Sequence, residues 1–261
     1  MNTFSYQLWI KLCASRSEQI AIVVSEKKTH RDSSSTVDAV TAPKSNKSLM
    51  NQISLNSIVN EAPIVAIVRR PKVDPVRCIE HLFQHGIRLV EITMDSPGAV
   101  EVLESLRSRI PANCLLGAGT VTDLARAEAA LAAGASFIVT PNINLEVIRA
   151  VRSHGIPVMP GALTPTEIWT AANAGADFVK VFPASAVGPR YFRELRGPFA
   201  QIPFMASGGV NLENAAEFIK FGVDALGLGG GLIPKSNDEF DQCAALAYQL
   251  LEVALKARDS R

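Results

Sequence analysis

The chain has 261 residues, 48% of them hydrophobic, and its 26 Lys and Arg against 25 Asp and Glu give a formal net charge of +1. That length suffices for one large core or two small ones, and the charge balance removes any global electrostatic attraction to nucleic acid or an anionic membrane. No uninterrupted apolar run is long enough to span a bilayer.

The first fifty residues differ from the rest. His30 to Ser48 (HRDSSSTVDAVTAPKSNKS) is rich in Ser, Thr and Lys and lacks both periodicity and aromatic residues, so it cannot bury enough to offset its chain entropy and reads as disordered. Met1 to Val24 holds apolar clusters (YQLWI, IAIVV) without a helical or strand template, and Glu18, Glu26, Asp32 and Asp38 argue against a transit peptide. Residues 1–49 are expected to be a disordered or non-essential extension, with Met50 a candidate start, ahead of a catalytic domain over 50–261.

From Ala62 the chain becomes regular. The run Ile64–Val68 (IVAIV) reads as the first strand, and a phrase then recurs: HGIRLVEI at His85, AGASFIVT at Ala133, HGIPVMP at His154, AGADFVKV at Ala174 and FGVDALGL at Phe221. In each, a Gly suits the left-handed position just past a helix, and a short β-type run follows. The wider gaps hold two more strands, Cys114–Ala118 (CLLGA) and Ile202–Ala206 (IPFMA). Helical patterns lie between, such as Asp123–Ala133 capped by Thr122 or Asp123, and Asn211–Lys220 opened by Asn211; Asn144 and Thr164 are further caps. Eight alternating units in about 200 residues predict an α/β fold, a closed (β/α)8 TIM barrel. An open doubly wound sheet is the alternative, but the first βα turn lacks a G-x-G-x-x-G fingerprint.

A barrel places its chemistry at the C-terminal ends of the strands. Three charges interrupt or end otherwise apolar runs: Arg69 on strand one, Glu91 on strand two and Lys180 on strand six. Alternation of faces groups Leu89, Glu91 and Thr93, and separately Phe178, Lys180 and Phe182. A lone buried charge is ordinarily a structural ion pair; three together at the functional end shift the reading toward chemistry. An amine in a water-poor interior, beside a second cation, is driven toward its neutral form, which attacks carbonyl carbon to give a Schiff base. A carboxylate within reach, acting through a water, could shuttle protons.

Two glycine clusters, Ser207-Gly208-Gly209 after strand seven and Gly227-Leu-Gly-Gly-Gly231 after strand eight, place exposed N–H groups where barrels of this type bind phosphate. His81 and His85 are four apart on a predicted helix but lack a third ligand and read as a solvated face. The cysteines Cys13, Cys78, Cys114 and Cys243 have no metal-ligand spacing and read as free thiols of a cytoplasmic protein, Cys114 as core. No feature asks for a metal.

In order along the barrel, the motifs VEIT at Val90, GAGTV at Gly117, TPN at Thr140, MPG at Met159, TPTE at Thr164, KVFPAS at Lys180, SGGV at Ser207 and GLGGGL at Gly227 resemble those of the 2-keto-3-deoxy-6-phosphogluconate aldolases. That family includes 6-phosphogalactonate and 4-hydroxy-2-oxoglutarate aldolases, and VTPNINLEVIRA and FPASAVGP look closer to the phosphogalactonate branch.

The resemblance implies a class I lyase without metal or other cofactor, commonly a homotrimer, that reversibly cleaves a 2-keto-3-deoxy-6-phospho sugar acid to pyruvate and glyceraldehyde 3-phosphate. By motif match, Lys180 is the Schiff-base lysine and Glu91 the proton-transfer residue. Thr120, Pro141, Gly161 and Phe182 line the pyruvate pocket, Arg69 holds anionic substrate, and Gly208, Gly209, Gly229 and Gly230 take the phosphate. Three departures stand out. Asp95 replaces a carboxylate-binding arginine of some members, and Gly230 replaces a phosphate-binding serine. Ser207 stands where phosphogluconate enzymes often have threonine and phosphogalactonate enzymes valine, and its hydroxyl suggests contact with a substrate hydroxyl. The alternatives are a 4-hydroxy-2-oxoglutarate aldolase releasing glyoxylate, and a non-catalytic barrel that binds a phosphorylated metabolite.

Overall fold

The computed structural model describes residues 54–261; the expected extension over 1–49, with Cys13, lies outside them. The strands are β1 (Ile64–Val68), β2 (Leu89–Thr93), β3 (Leu115–Gly119), β4 (Ile138–Val139), β5 (Val158–Met159), β6 (Gly161–Ala162), β7 (Val179–Val181), β8 (Phe204–Ser207) and β9 (Ala225–Leu228). All pairings are parallel, in the order β5-β4-β3-β2-β1-β9-β8-β7-β6. The two ends of that order, β5 and β6, are halves of one barrel strand parted at Pro160, whose missing N–H breaks the ladder. The Pro160 carbonyl still accepts from the Lys180 N–H at 2.9 Å, so the sheet closes as the predicted eight-unit barrel and Lys180 on β7 sits on its sixth strand.

The helices are α1 (Leu55–Glu61), α2 (Pro75–Gln84), α3 (Ala99–Leu106), α4 (Leu124–Ala132), α5 (Leu145–Ser153), α6 (Pro165–Asn173), α7 (Pro189–Arg196), α8 (Ala215–Lys220) and α9 (Phe240–Asp259). Asp123 caps α4, Asn144 caps α5, and Thr164 with Glu167 forms a capping box on α6. Gly86, Gly134, Gly155, Gly175 and Gly222, the glycines of the recurring phrase, all have positive φ, as a helix exit in the left-handed region requires. The last predicted helix starts later than its sequence suggests. Asn211 instead opens a turn, its Oδ1 accepting from the N–H groups of Glu213 (3.0 Å) and Asn214 (3.1 Å), and Asn214 precedes the helix.

The interior splits into two apolar layers. Outside the sheet, helix stripes pack on outward strand residues such as Ile64, Ile92 and Phe204. Inside it, Val65, Leu89, Phe137, Val139, Met159, Phe178, Met205 and Ala225 fill the lower barrel together with Leu55, Ile58 and Val59 of α1. Helix α1 therefore plugs the end away from the strand C-termini, and the Arg258 guanidinium of α9 donates to the Asn60 carbonyl (2.7 Å) and the Val59 carbonyl (3.1 Å) at its exit. Burying Ile58 alone is worth about 1.5–3 kcal/mol. With seven residues, LNSIVNE is too short to show a helical period in the sequence.

Candidate active site

Above the apolar layer, at the strand C-termini, lies a cavity of about 680 Å³. Its wall includes Arg69, Glu91, Thr120, Pro141, Lys180, Phe182, Ser207, Gly208, Gly209, Gly229 and Gly230, so the fold brings together every predicted site residue except one. Gly161 stands just behind the wall: a Cβ there would lie 2.3 Å from the Pro141 carbonyl carbon, so its smallness lets two backbones meet rather than exposing a surface to ligand. The wall also contains Ile67, Thr93, Val210, Asn211, Gly227 and Leu228, to which the motif match assigns no individual role. Alternation already groups Thr93 with Glu91 on one face, and the cavity wall contains both.

The two central side chains face one another from β2 and β7 across the barrel. Lys180 is 7% exposed and Glu91 1%. Strand register sets Glu91 beside Ile67 and Gly117, and Lys180 beside Gly161 and Met205. Space for the carboxylate comes from β3, where a Cβ on Gly119 would lie 2.5 Å from Glu91 Oε1. No hydrogen bond or ion pair joins Lys180 Nζ to any side chain among the described residues, and Glu91 Oε2 is buried without a partner. Burial pushes the Glu91 carboxyl above its ordinary range, and the charge of Lys180 opposes that rise. A structural ion pair would have satisfied both groups; here both are left to whatever enters between them.

Around this pair the wall is mixed. The Phe182 ring centroid lies 5.3 Å from Lys180 Nζ and the residue is 39% exposed at the cavity, whereas Phe178 belongs to the buried apolar layer inside the barrel. Thr120 has φ +53°, a strained position for a β-branched residue, held between the Met94 N–H to Gly119 carbonyl bond (2.8 Å) and the Val121 N–H to Val139 carbonyl bond (3.2 Å). Gly208, Gly209, Gly229 and Gly230 carry N–H groups for which no acceptor occurs among the described residues. Four unpartnered donors on one side of a cavity suit an oxyanion.

Arg69 does not face Lys180 as an unpaired cation. Asp95 Oδ2 accepts from Arg69 Nε (3.1 Å) and Nη2 (2.9 Å), so the arginine is half-neutralised at the mouth. The Asp95 carboxylate and the Arg69 guanidinium thus form a pair beside the cavity.

Elsewhere the structure replaces a solvated histidine pair with packed rings. His81 Nε2 meets the Phe240 carbonyl at 2.9 Å and His85 Nδ1 the His81 carbonyl at 2.8 Å. Among the described residues no group of three or more His, Cys, Asp or Glu could hold a metal. Cys78, Cys114 and Cys243 are free and buried, and no described helix is long and apolar enough to cross a membrane.

A family model described as KDPG and KHG aldolase matches residues 55–246. The chain belongs to that family. The 2-dehydro-3-deoxy-6-phosphogalactonate aldolase of Escherichia coli (strain K12) is 37% identical over 174 residues, 65% of this chain and 84% of the relative. The 2-dehydro-3-deoxy-phosphogluconate aldolase of Treponema pallidum (strain Nichols) is 34% identical over 200 residues, 75% of this chain and 93% of the relative. Among solved structures, a KDPG aldolase from Legionella pneumophila with pyruvate captured at low pH as a covalent carbinolamine is 26% identical, with a TM-score of 0.63 covering 77% of this chain and 97% of that one. The family resemblance carried by the motifs and the barrel expectation both hold, and the protein is an aldolase-type lyase.

Proposed function

We propose that this aldolase works through a Schiff base on Lys180, reversibly cleaving a 2-keto-3-deoxy-6-phospho sugar acid to pyruvate and glyceraldehyde 3-phosphate. The observation that carries the reading is the buried amine that has no ionic partner among the described residues, facing a buried carboxylate that also lacks one there. The pyruvate carbinolamine in the Legionella relative supports the same chemistry.

Lys180 Nζ attacks the C2 carbonyl to give a carbinolamine, which loses water to become a protonated imine. That imine accepts the electron pair of the C3–C4 bond as it breaks. Glu91, through a water, takes the C4 hydroxyl proton and releases the aldehyde. The enamine left on Lys180 is reprotonated at C3, and water hydrolyses the imine to free pyruvate and the amine. Glu91 also moves protons in making and breaking the carbinolamine. Every step uses groups of the chain, substrate and water, so no metal or cofactor is required.

Thr120, Pro141 and Phe182 flank the pyruvyl portion, with Gly161 giving Pro141 its position. Ser207 beside Lys180 contacts a substrate hydroxyl, and the N–H groups of Gly208, Gly209, Gly229 and Gly230 take the phosphate, with Arg69 adding positive charge. The enzyme is proposed to act in the cytoplasm as a homotrimer on small-molecule substrates.

Borohydride reduction in the presence of pyruvate tests the centre: wild type should form a covalent adduct on Lys180, and Lys180→Ala should form none. A barrel that only binds a phosphorylated metabolite gives no adduct in either protein, which would overturn the reading. Comparing kcat/KM for the phosphorylated gluconate and galactonate epimers with 4-hydroxy-2-oxoglutarate assigns the substrate. Preference for the last would replace the phospho-sugar assignment with glyoxylate release.

A further inference from the structure

Arg69 and Arg70 follow β1, and Asp95 and Ser96 follow β2. The Arg69 side chain is 58% exposed and that of Asp95 only 15%, so the flexible partner is the arginine and the fixed one the carboxylate. Asp95 Oδ2 receives Arg69 through two nitrogens and also Arg70 Nη2 at 3.1 Å. Arg70 is itself tied down: its Nε donates to the Asp95 carbonyl at 3.2 Å and its N–H to Ser96 Oγ at 2.8 Å, while Ser96 Oγ meets Thr93 Oγ1 at 2.9 Å. The φ of Arg70 is +44°, a conformation that costs a non-glycine residue energy and that these bonds hold in place.

Asp95 does not line the cavity, whereas Arg69 does. On its other side β1 adjoins β9, and the β9 turn comes close enough that a Cβ on Gly229 would lie 3.3 Å from the Ile67 carbonyl oxygen. The strand that leads into Arg69 thus lies between the one that leads to Asp95 and the one that leads to Gly229 and Gly230, whose N–H groups have no acceptor among the described residues.

We infer that Asp95 is a positioning residue for phosphate recognition: it holds the Arg69 guanidinium at the cavity mouth, so that its remaining N–H groups and the Gly229–Gly230 turn take the substrate phosphate together. This rests on the aldolase reading above and deepens it by naming the group that orients the anion contact. Burial of the Asp95 carboxyl is outweighed by the hydrogen bonds and charge of Arg69 and by the charge of Arg70, which hold it below the usual carboxylate range, so it stays ionised at neutral pH. An arginine held by a fixed carboxylate loses less side-chain freedom on binding than a free one.

The test is a double-mutant cycle of Asp95→Asn and Arg69→Ala, measured with the phosphorylated substrate and with 4-hydroxy-2-oxoglutarate, which lacks a phosphate. Asp95→Asn should raise KM for the phosphorylated substrate about tenfold, in line with losing an oriented charge-assisted bond. It should change kcat and the KM for the unphosphorylated substrate less than about twofold. In the Arg69→Ala background the same change should have no further effect, because Asp95 acts only through Arg69. Independent, multiplying effects, an equal rise in both KM values, or no rise at all would overturn the inference. Thermal melting of each protein excludes unfolding, and Asp95→Glu, which keeps the charge but displaces it, should fall between wild type and Asp95→Asn. The pyruvate–borohydride adduct separates the two levels. If it forms in all variants without coupling between Asp95 and Arg69, this inference alone fails; if wild type forms none, the aldolase reading fails and takes the inference with it.

Discussion

Gly119→Ala is a small change aimed at one carboxylate. Gly119 ends β3 inside the barrel, and its added Cβ would sit 2.5 Å from Glu91 Oε1, 2.7 Å from Cδ and 3.2 Å from Oε2. Carbon–oxygen contacts settle near 3.3 Å or beyond, so the carboxylate must retreat by about 0.8 Å. These clashes are with the end of a side chain, not with backbone, and the φ of Gly119 is not in the positive range, so the fold can absorb the change for about 1–3 kcal/mol, as for other small overpacking changes. Catalysis cannot. A misplacement near 1 Å costs about 100-fold, or about 2.7 kcal/mol in the barrier at about 1.36 kcal/mol per tenfold. Steady-state pyruvate release, followed through a coupled dehydrogenase, should show kcat down about 100-fold with KM nearly unchanged. The borohydride adduct on Lys180 should still form, more slowly. Full kcat in a folded Gly119→Ala enzyme would refute a proton-transfer role that depends on where Glu91 sits.

Glu91 also has a pH signature. Its carboxyl must be ionised to accept a proton, and burial raises its titration above the ordinary glutamate range against the opposing charge of Lys180, so kcat should fall as pH drops through a limb above that range. Glu91→Gln should abolish most activity and remove the limb. In the window between the ordinary and raised values the folded chain holds a proton that the unfolded chain has released, so stability falls as pH rises through it. Glu91→Gln should therefore melt above wild type at neutral pH, on a scale of about 2–4 °C per kcal/mol for a domain this size. A lower melting temperature would contradict the picture of an uncompensated buried charge. Removing residues 1–49 is expected to leave melting and activity unchanged, whereas a truncation through Glu61 should cost the fold, because it takes away Leu55, Ile58 and Val59 from the lower barrel. Equal behaviour of the two truncations would sink the plug assignment.

Much of the barrel was legible because its signals are local. A glycine with positive φ after a helix, a capping side chain three residues before its target, and a short β-run are each decided within about ten residues, and they repeat along the chain. Glu91 and Lys180 were legible as charges in apolar strands, since a two-residue period settles the face on which a side chain lies. Helix α1 was not, because LNSIVNE is too short to show a period and its apolar face has meaning only against a barrel floor built from distant strands. The start of α8 was misread because an asparagine can accept from the next N–H groups equally well in a turn or at a helix cap.

By itself the sequence determined the eight-unit alternation, the inward placement of the lysine and glutamate, and the motifs that mark the family. Tertiary structure alone decided that Lys180 and Glu91 each lack an ionic partner among the described residues, that Gly119 makes room for the carboxylate, and that Arg69 is held by Asp95. The physical reason is that these facts concern distances across the barrel. The pairing of β1 with β2 sets Arg69 and Asp95, 26 residues apart, within hydrogen-bond reach. The closure of the sheet through Pro160 fixes how far apart the amine and the carboxylate stand.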